Sequence, residues 1–323
     1  MKEIFYLMEM KNYEYNIGCV VVTFNRKNLL KRCLNAIEQQ TYKPKTVYII
    51  DNASTDGTDE YIVSAGYCNQ DVNGIFFQYH KCEKNEGGAG GFYTGMKLAS
   101  ESDSFDGIWV MDDDGEPDKN CLKELVPFLK DRDYIAPVVL SDEDRDACSF
   151  VPNATYSEFC KKADSNGIVE GWASPFNGIL YSARLIKKIG YPKKEMFIWG
   201  DEINYQIRAE KAGFHRMTTI KAIHYHPVDR QNVVRNADTF NAYLVIVDVD
   251  WKLYCAIRNR VYNIMLEQPS KWRGFRMSQY LYRAYKNYYR VTLGNDSKTS
   301  LIRDAFISGL IGYFGGLKKY FNR

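Results

Sequence analysis

Three consecutive aspartates, Asp112 to Asp114, follow an apolar run at residues 107–111 that is typical of a buried strand. Carboxylates in such close sequence repel one another unless a cation lies between them. Residues two positions apart lie on the same side of an extended segment, so we expect Asp112 and Asp114 to converge on one ion while Asp113 points away. Oxygen ligands suit Mg²⁺ or Mn²⁺, and such ions commonly bind substrate phosphates. The alternative is a solvated acidic turn.

Two further pairs of side chains could contribute to the same chemistry. Asp201 and Glu202 stand at the start of a predicted helix that ends at a glycine. Two acids at a helix start are also favoured by the helix dipole alone, which is the structural alternative. His224 and His226 close a predicted strand at residues 220–225, so both imidazoles would lie on one side of it. A stacked pair of surface histidines is the alternative there.

The first hundred or so residues of the chain alternate between predicted strands and helices. Short, apolar, β-branched runs predict strands, and apolar residues spaced by three and four predict helices. The predicted strands are 19–24, 46–50, 74–79 and 107–111, and the helical segments between them are 28–40, 58–65 and the glycine-rich segment 85–100. This alternation predicts an α/β fold with an open, mostly parallel sheet.

Three polar residues follow these strands. Asp51, Asn85 and Asp112 each come after an apolar run. Ligands of such sheets bind beyond the carboxyl ends of the strands, so we expect all three at one ligand-binding edge. Residues 85–91 contain four glycines, which allow a ligand to approach the backbone, and the start of the following helix favours phosphate. An ordinary mobile loop is the alternative.

The composition of the 323-residue chain suits one large or two smaller globular domains, with 45% hydrophobic and 26% charged residues. We expect neither a secretory signal nor a membrane-spanning segment, since no uncharged apolar run approaches roughly 20 residues. Eight scattered cysteines lack zinc-site spacing and indicate a reducing compartment. Residues 251–323 hold 14 Lys and Arg against 3 Asp and Glu, and 15 of the 47 aromatic residues. This charge asymmetry predicts an acidic surface as the partner of that segment.

Several motifs together carry a resemblance to a known family. The run Val21–Arg26, the run Asp51–Thr58 and the aspartate triplet look like the nucleotide-binding half of a family 2 glycosyltransferase. The run Asn85–Phe92 resembles a subgroup that includes bacterial galactofuranosyl- and rhamnosyltransferases. The resemblance covers residues 17–230. It implies the GT-A fold, which is Rossmann-like with helices flanking the sheet, and an inverting, metal-dependent sugar transfer.

The resemblance also implies roles for individual residues. The donor nucleotide would contact residues that follow the strands and those of the glycine-rich segment, namely Thr23, Asn25, Arg26, Asp51, Asn52, Asn85, Gly87, Gly88, Gly91 and Asp113. The cofactor, Mn²⁺ or Mg²⁺, would bind Asp112, Asp114 and one of two histidines, with a slight preference for His224 over His226. Glu202 would act as the catalytic base, although family members usually carry an aspartate there. Asp201 is the competing assignment for that base.

The implied enzyme is a hexosyltransferase that uses a nucleotide diphosphate donor, such as UDP-galactofuranose or UDP-galactose. Its acceptor would be a bacterial surface polysaccharide or a lipid-linked glycan. A dTDP-rhamnose donor is the alternative. A sugar nucleotidyltransferase would carry a glycine-rich loop directly after its first strand, where this chain has Phe24–Lys27. A basic nucleic-acid-binding module would account for the C-terminal segment alone, so no nucleic-acid partner is expected.

Two domains are expected, a catalytic one at residues 1–235 and a mainly helical, basic C-terminal region at residues 236–323. Between residues 271 and 290, aromatic residues are interleaved with Lys and Arg. Amphipathic helices of this kind lie in the headgroup layer, so an anionic membrane is the expected partner. A helical domain packed on the catalytic core is the alternative. The enzyme would then be cytoplasmic, peripheral on the inner face of the cytoplasmic membrane, and could form oligomers.

Overall fold

The computed structural model of the protein describes residues 15–102, 104–150, 154–174, 176–228, 232–235 and 237–321. These residues form two compact units. The first comprises the described residues of Met1–Asn85, Thr94–Tyr191 and Ala212–Val228, and the second those of Glu86–Tyr93, Pro192–Lys211 and Asp229–Arg323. The division therefore differs from a single boundary at residue 235, because two earlier segments group with the C-terminal part.

The first unit is built on one mixed sheet, which has ten strands within the described residues. The strands are β1 (Ile17–Thr23), β2 (Thr46–Asp51), β3 (Gln70–Val72), β4 (Ile75–Lys81), β5 (Gly107–Asp112), β6 (Glu116–Pro117), β7 (Tyr134–Ser141), β8 (Ile168–Glu170), β9 (Asn177–Ser182) and β10 (Arg216–His226). Their order is β3-β4-β2-β1-β5-β9-β7-β10-β6, with β8 also paired to β10. Strands β4, β2, β1 and β5 are mutually parallel, whereas β9 is antiparallel to both its neighbours.

The register of the parallel strands explains why polar residues meet at one edge. Thr23 at the end of β1 pairs with Asp51 at the end of β2, and Val22 pairs with Asp112 at the end of β5. The two-residue strand β6 then pairs antiparallel with the end of β10, so that Tyr225 lies opposite Glu116. This last pairing brings the end of β10 to the residues that follow the aspartate triplet.

The chain up to residue 189 contains six α-helices within its described residues. They are α1 (Lys27–Glu38), α2 (Thr58–Ser64), α3 (Gly87–Ser102), α4 (Cys121–Leu125), α5 (Tyr156–Lys162) and α6 (Ala183–Ile189). Helix α1 buries Leu30, Cys33, Leu34 and Ile37, which pack in one cluster with the apolar residues of β1 and β2. The predicted α/β fold class is confirmed, and the strands predicted at 19–24, 46–50 and 107–111 are present with small changes at their ends.

The second unit is mainly helical. It contains α7 (Asp201–Lys211), the paired strands β11 (Asn232–Val234) and β12 (Leu244–Ile246), and the helices α8 (Asp250–Glu267), α9 (Lys271–Asn287) and α10 (Thr299–Ile311). Its core is formed by apolar residues of the three long helices, including Leu253, Ile257, Val261, Leu281 and Ile302. The predicted helical character of the C-terminal region is thereby confirmed. Among the described residues, no helix combines the length and apolarity that crossing a membrane requires.

Regular structure also occupies much of the chain between α4 and β9. Between residues 131 and 176 lie β7, α5 and β8. Helix α5 begins with a capping box in which Thr155 and Glu158 bond reciprocally to each other's backbone N–H groups. The spacing Thr-x-x-Glu is a readable signal for a helix start, so this element could have been predicted from the sequence.

Candidate active site

The aspartate triplet lies where β5 ends and a turn begins. Strand β5 stops at Asp112, and the next two residues form the turn. Asp113 is buried, accepts a hydrogen bond from Thr23 Oγ1 at 2.7 Å and lies 3.2 Å from Arg26 Nη1. The same guanidinium nitrogen is 2.7 Å from Asp114 Oδ2. The expected alternation of side chains therefore does not extend past Asp112, because Asp113 and Asp114 share one arginine instead of pointing apart.

Burial and mutual repulsion disturb the ionisation of these carboxyl groups. Burial raises the pKa of Asp112 well above its ordinary value, and the charges of Asp114 and Asp113 raise it further. Burial also raises the pKa of Asp113 to about 6, although Arg26 and Thr23 favour its ionised form. The pKa of Asp114 is lowered, since His226 and Arg26 outweigh the effect of its burial. An added cation would stabilise the ionised form of all three groups.

The two histidines at the end of β10 lie in different surroundings. His226 Nε2 is 3.0 Å from Asp114 Oδ1, and His226 Nδ1 is 2.6 Å from the carbonyl oxygen of Pro227. Although burial alone would lower the pKa of His226, its contact with Asp114 raises it. The imidazole that stands beside the acidic cluster is therefore that of His226.

His224 is enclosed instead. Its side chain is completely buried, and neither ring nitrogen has a hydrogen-bond partner within the described part of the chain. The two nitrogens face the backbones of Gly115 and Gly178, where a Cβ would lie 2.2 Å from Nε2 and 2.7 Å from Nδ1. Burial lowers the pKa of His224 to about 3, so its ring is neutral at physiological pH.

The loops after β1 and β2 are joined around Asp51. Its carboxylate is buried and accepts hydrogen bonds from the Ser54 N–H at 2.7 Å and from the Tyr79 hydroxyl at 2.6 Å. Asn25 adds a second link, because its N–H donates to Ser54 Oγ and its Oδ1 accepts from the Thr55 N–H. The N–H of the buried Asn52 donates to the Thr23 carbonyl. Asp51 therefore holds the turn that follows β2.

Tyr79 is a residue that the sequence reasoning missed. It lies in β4, which is parallel to β2, and its hydroxyl reaches the carboxylate at the end of that strand. A tyrosine near the carboxyl end of a predicted parallel strand was the available signal, since such strand ends form the ligand edge of the sheet. Asn85, in the segment after β4, is exposed.

The glycine-rich segment belongs to the second unit and begins α3. Gly87 has φ +73°, and a Cβ there would lie 1.9 Å from the carbonyl oxygen of Phe197. That carbonyl accepts a hydrogen bond from the N–H of Ala89. Close approach of the Phe197 backbone is therefore the reason that residue 87 must be glycine. Around Gly88, by contrast, no described atom outside its chain neighbours and the surrounding helix backbone comes within 4 Å of an added Cβ, and Gly91 is buried in the helix.

The second pair of acids opens α7, also in the second unit. Asp201 is 4% exposed, whereas Glu202 is half-buried. Glu202 Oε2 accepts a hydrogen bond of 2.9 Å from the N–H of Gly200. The predicted position of these two acids in the first turn of a helix is confirmed.

No group of three His, Cys, Asp or Glu side chains within the described ranges is arranged so that it could hold a metal ion. The pair Asp114 and His226 would need ligands from water or substrate to complete a coordination sphere. Mg²⁺ is often bound in this way, through one or two carboxylates together with substrate phosphates.

Sequence comparisons decide the family. Residues 19–172 match the family model of Glycosyl transferase family 2. Galactofuranosyltransferase GlfT1 of Mycolicibacterium smegmatis is 30% identical over 266 residues, which are 78% of this chain and 83% of that relative. The chain belongs to glycosyltransferase family 2. This family 2 enzyme also resembles the GlfT1 of Mycobacterium tuberculosis H37Rv, at 29% identity over 79% of this chain and 83% of the relative.

Solved structures share the fold of this glycosyltransferase. S. aureus TarS 1–349 in complex with UDP-GlcNAc matches with a TM-score of 0.51 at 16% identity, over 94% of this chain and 83% of that one. The mannosyltransferase PcManGT from Pyrobaculum calidifontis, in complex with GDP-Man and Mn²⁺, matches with a TM-score of 0.53 at 13% identity. The match covers 95% of this chain and 83% of that one. These likenesses confirm the GT-A fold that the sequence predicted.

Proposed function

We propose that this enzyme transfers a hexose, in particular galactofuranose, from a UDP-linked donor to a glycan acceptor with inversion at the anomeric carbon. Its relatives at 29–30% identity are named galactofuranosyltransferases, which supports that sugar. The fold neighbours TarS and PcManGT were solved with UDP-GlcNAc and with GDP-Man and Mn²⁺, which supports a nucleotide sugar and a divalent metal. Galactose and, with a dTDP donor, rhamnose are the alternative sugars.

The observation that carries the proposal is the contact between His226 and Asp114. If His226 Nδ1 carries its proton towards the Pro227 carbonyl 2.6 Å away, Nε2 is left as a lone-pair donor 3.0 Å from Asp114 Oδ1. Histidine ligands of metals are commonly oriented in this way by a carbonyl behind the ring. Both atoms would then bind the same cation, with Asp112 as a neighbouring carboxylate.

A divalent ion of the Mn²⁺ or Mg²⁺ type would bind at the acidic cluster, with water or substrate supplying the ligands that the protein lacks. The carboxylates of the cluster are held close together although burial and repulsion raise the pKa of Asp112 and Asp113. A carboxylate and an imidazole are both accepted by Mn²⁺, whereas Mg²⁺ prefers oxygen. When bound, the ion would act as a Lewis acid on the diphosphate and stabilise the leaving nucleotide.

The protein residues at this edge would bind the rest of the donor. Each carboxylate oxygen of Asp51 can accept a second hydrogen bond, so Asp51 can receive a uracil N–H or a ribose hydroxyl while it also holds its turn. Thr23, Asn25 and Asn52 line the neighbouring loops and would fix the nucleoside. The half-exposed guanidinium of Arg26 would receive phosphate oxygens.

Glu202 would remove the proton from the acceptor hydroxyl. The acceptor oxygen forms its bond to the anomeric carbon as the bond from that carbon to the diphosphate breaks, and the proton passes to the Glu202 carboxylate. Attack from the face opposite the leaving group inverts the anomeric centre. Glu202 is favoured over Asp201 because Asp201 is only 4% exposed and is less accessible to an acceptor.

An anionic membrane is proposed as a further partner, through the outer surface of α9. Trp272, Phe275 and Tyr280 are exposed there, and the Arg276 guanidinium stacks 4.7 Å from the Trp272 ring. Residues 268–295 contain six Lys and Arg and no Asp or Glu. Other aromatic residues of this segment, such as Tyr285, are buried in the core. The first half of α9 therefore offers the aromatic and basic surface, which suits a lipid-linked acceptor.

A screen of donor hydrolysis tests the proposed activity. The full chain is incubated without acceptor with UDP-galactofuranose, UDP-galactose, UDP-GlcNAc and dTDP-rhamnose, each with Mn²⁺ and with EDTA, and nucleotide release is measured. We expect release from UDP-galactofuranose only when Mn²⁺ is present. Release from dTDP-rhamnose instead would establish the alternative donor, and release that is insensitive to EDTA would refute the metal.

A further inference from the structure

The loop of residues 196–200, which precedes the proposed base, has an unfavourable backbone. Phe197 and Trp199 both have positive φ values, 69° and 59°, which bulky residues rarely adopt. Gly200 follows with φ +87°. Such conformations cost free energy and persist only where the surrounding structure enforces them.

Helix α8 supplies the groups that enforce this conformation. The side-chain nitrogen of Asn259 lies 3.0 Å from the Met196 and Ile198 carbonyl oxygens and 2.6 Å from that of Trp199. One turn later, Asn263 Nδ2 donates to the Gly200 carbonyl at 2.7 Å. Both asparagines are almost fully buried, at 1% and 4% exposure. Two neutral side-chain amides on one face of α8 thus contact four carbonyl groups of the loop.

One peptide group connects this network to the proposed base. The carbonyl of the Trp199–Gly200 peptide accepts from Asn259, and the N–H of the same peptide donates to Glu202 Oε2 at 2.9 Å. Because a peptide group is planar and rigid, fixing its oxygen also fixes the direction of its N–H. Asn263 fixes the next peptide through the Gly200 carbonyl.

We propose that Asn259 and Asn263 are positioning residues for catalysis, which hold the Glu202 carboxylate through the two peptide groups that flank Gly200. Gly200 is required between them, since its φ is positive and an added Cβ would lie 3.2 Å from Asn259 Cβ and 3.3 Å from Asn263 Nδ2. The inference rests on the proposed function, in which Glu202 is the base.

The test compares Asn259→Ala and Asn263→Ala in the full chain. Turnover is measured per UDP-binding site, which calorimetry counts, so that loss of folded protein is not mistaken for loss of rate. We expect kcat to fall by about 10- to 100-fold, the effect of a small misplacement of a catalytic group, while the donor KM changes less than about twofold. Should Asn259→Ala fail to fold, Asn263→Ala, which loses fewer bonds, decides the question.

A matched control lies on the same helix. Tyr254→Phe removes one buried hydrogen bond, from the Tyr254 hydroxyl to Ser308 Oγ at 2.8 Å, without touching the loop. It should leave kcat unchanged. A fall in kcat for this control equal to that of the asparagine variants would show general loosening of the helices and overturn the proposal.

A double-mutant cycle distinguishes positioning from support of the fold. Residual product formation is measured by mass spectrometry in Glu202→Gln with and without Asn259→Ala or Asn263→Ala. If the asparagines act through Glu202, they cause no further loss in this background. If the asparagine substitutions lower product formation by the same factor with and without Glu202→Gln, the inference is overturned. Full activity of Glu202→Gln would instead refute Glu202 as the base, and this outcome is distinct from failure of the positioning role.

Discussion

The acidic cluster after β5 and the loop before α7 are stabilised by opposite kinds of interaction. The cluster is ionic, since Asp113 and Asp114 share Arg26 and Asp114 also contacts His226. The loop is held by neutral amides on its carbonyl groups. Even the buried Arg258 beside it donates to the Met196 carbonyl, and no carboxylate of the described residues forms an ion pair with it.

This difference suits two tasks. A cluster whose carboxylates have raised pKa values gains free energy when a cation arrives, so it is suited to binding a charged ligand. The hydrogen bonds of a buried, fully bonded network hold their groups rigidly. Such a network is suited to keeping one side chain in place while charge moves elsewhere. Substitutions in the two regions should therefore affect different steps.

The largest effect is expected in the ionic cluster. Asp114→Ala removes the carboxylate shared by Arg26 and His226, so Mn²⁺-dependent binding of UDP should fall below detection in calorimetry. Asp112→Ala should behave similarly. Asp113→Ala should lose less, because Asp113 is already engaged by Thr23 and Arg26. If all three substitutions reduce Mn²⁺-dependent UDP binding equally, the three carboxylates contribute only their summed charge and have no separate roles.

The next effect concerns the base that the neutral loop holds. Glu202→Gln should keep the affinity for UDP and Mn²⁺ but lower kcat by about 10²- to 10⁴-fold, the usual contribution of general base catalysis. Asp201→Asn, which changes the buried neighbour in the same way, should be milder. An inactive Asp201→Asn together with an active Glu202→Gln would reverse the assignment.

The two histidines at the end of β10 should respond differently to substitution. His226→Ala should weaken Mn²⁺ binding in the presence of UDP by at least about tenfold. His224→Ala should leave that affinity unchanged but lower the free energy of unfolding by about 2–4 kcal/mol, as for other large buried side chains. Calorimetry and urea denaturation measure the two quantities. A metal-binding defect confined to His224→Ala would instead identify His224 as the ligand.

The smallest effect is expected on α9. Arg273→Gln and Arg276→Gln should each weaken binding to anionic vesicles about fivefold at low salt, since a basic residue near such a surface contributes about 1 kcal/mol. Arg303→Gln is the matched control, because Arg303 already lies 3.6 Å from Asp304. Vesicle flotation measures the binding. Point substitutions are preferable to truncation, which would remove the residues of α8 that hold the loop.

If the full-length protein never floats with anionic vesicles, even at low salt, the membrane proposal is refuted. Binding to RNA without binding to vesicles would instead favour the nucleic-acid module that the charge of this segment also allows.

Much of the first unit was predictable because its signals are local. The apolar run ending at Thr23 and the spacing of Leu30, Leu34 and Ile37 reflect burial on one strand and one helix face. The alternation of strands and helices predicts the parallel arrangement, and with it the position of Asp51 and Asp112 at one edge of the sheet. The directions of the three aspartate side chains were harder to predict, because the residue at which a strand ends depends on the turn that follows it.

The family, the central strands and the edge at which the acids collect follow from the sequence alone, since each depends on neighbouring residues or on short motifs. The tertiary structure instead determines which of the two histidines, His224 or His226, lies beside the acidic cluster, because that position depends on the pairing of β6 with β10, more than a hundred residues apart. It also decided that Asn259 and Asn263 hold a loop about sixty residues earlier in the chain. The sequence around a helical asparagine does not indicate which distant carbonyl groups its side chain will bond, since those contacts form only once the chain has folded.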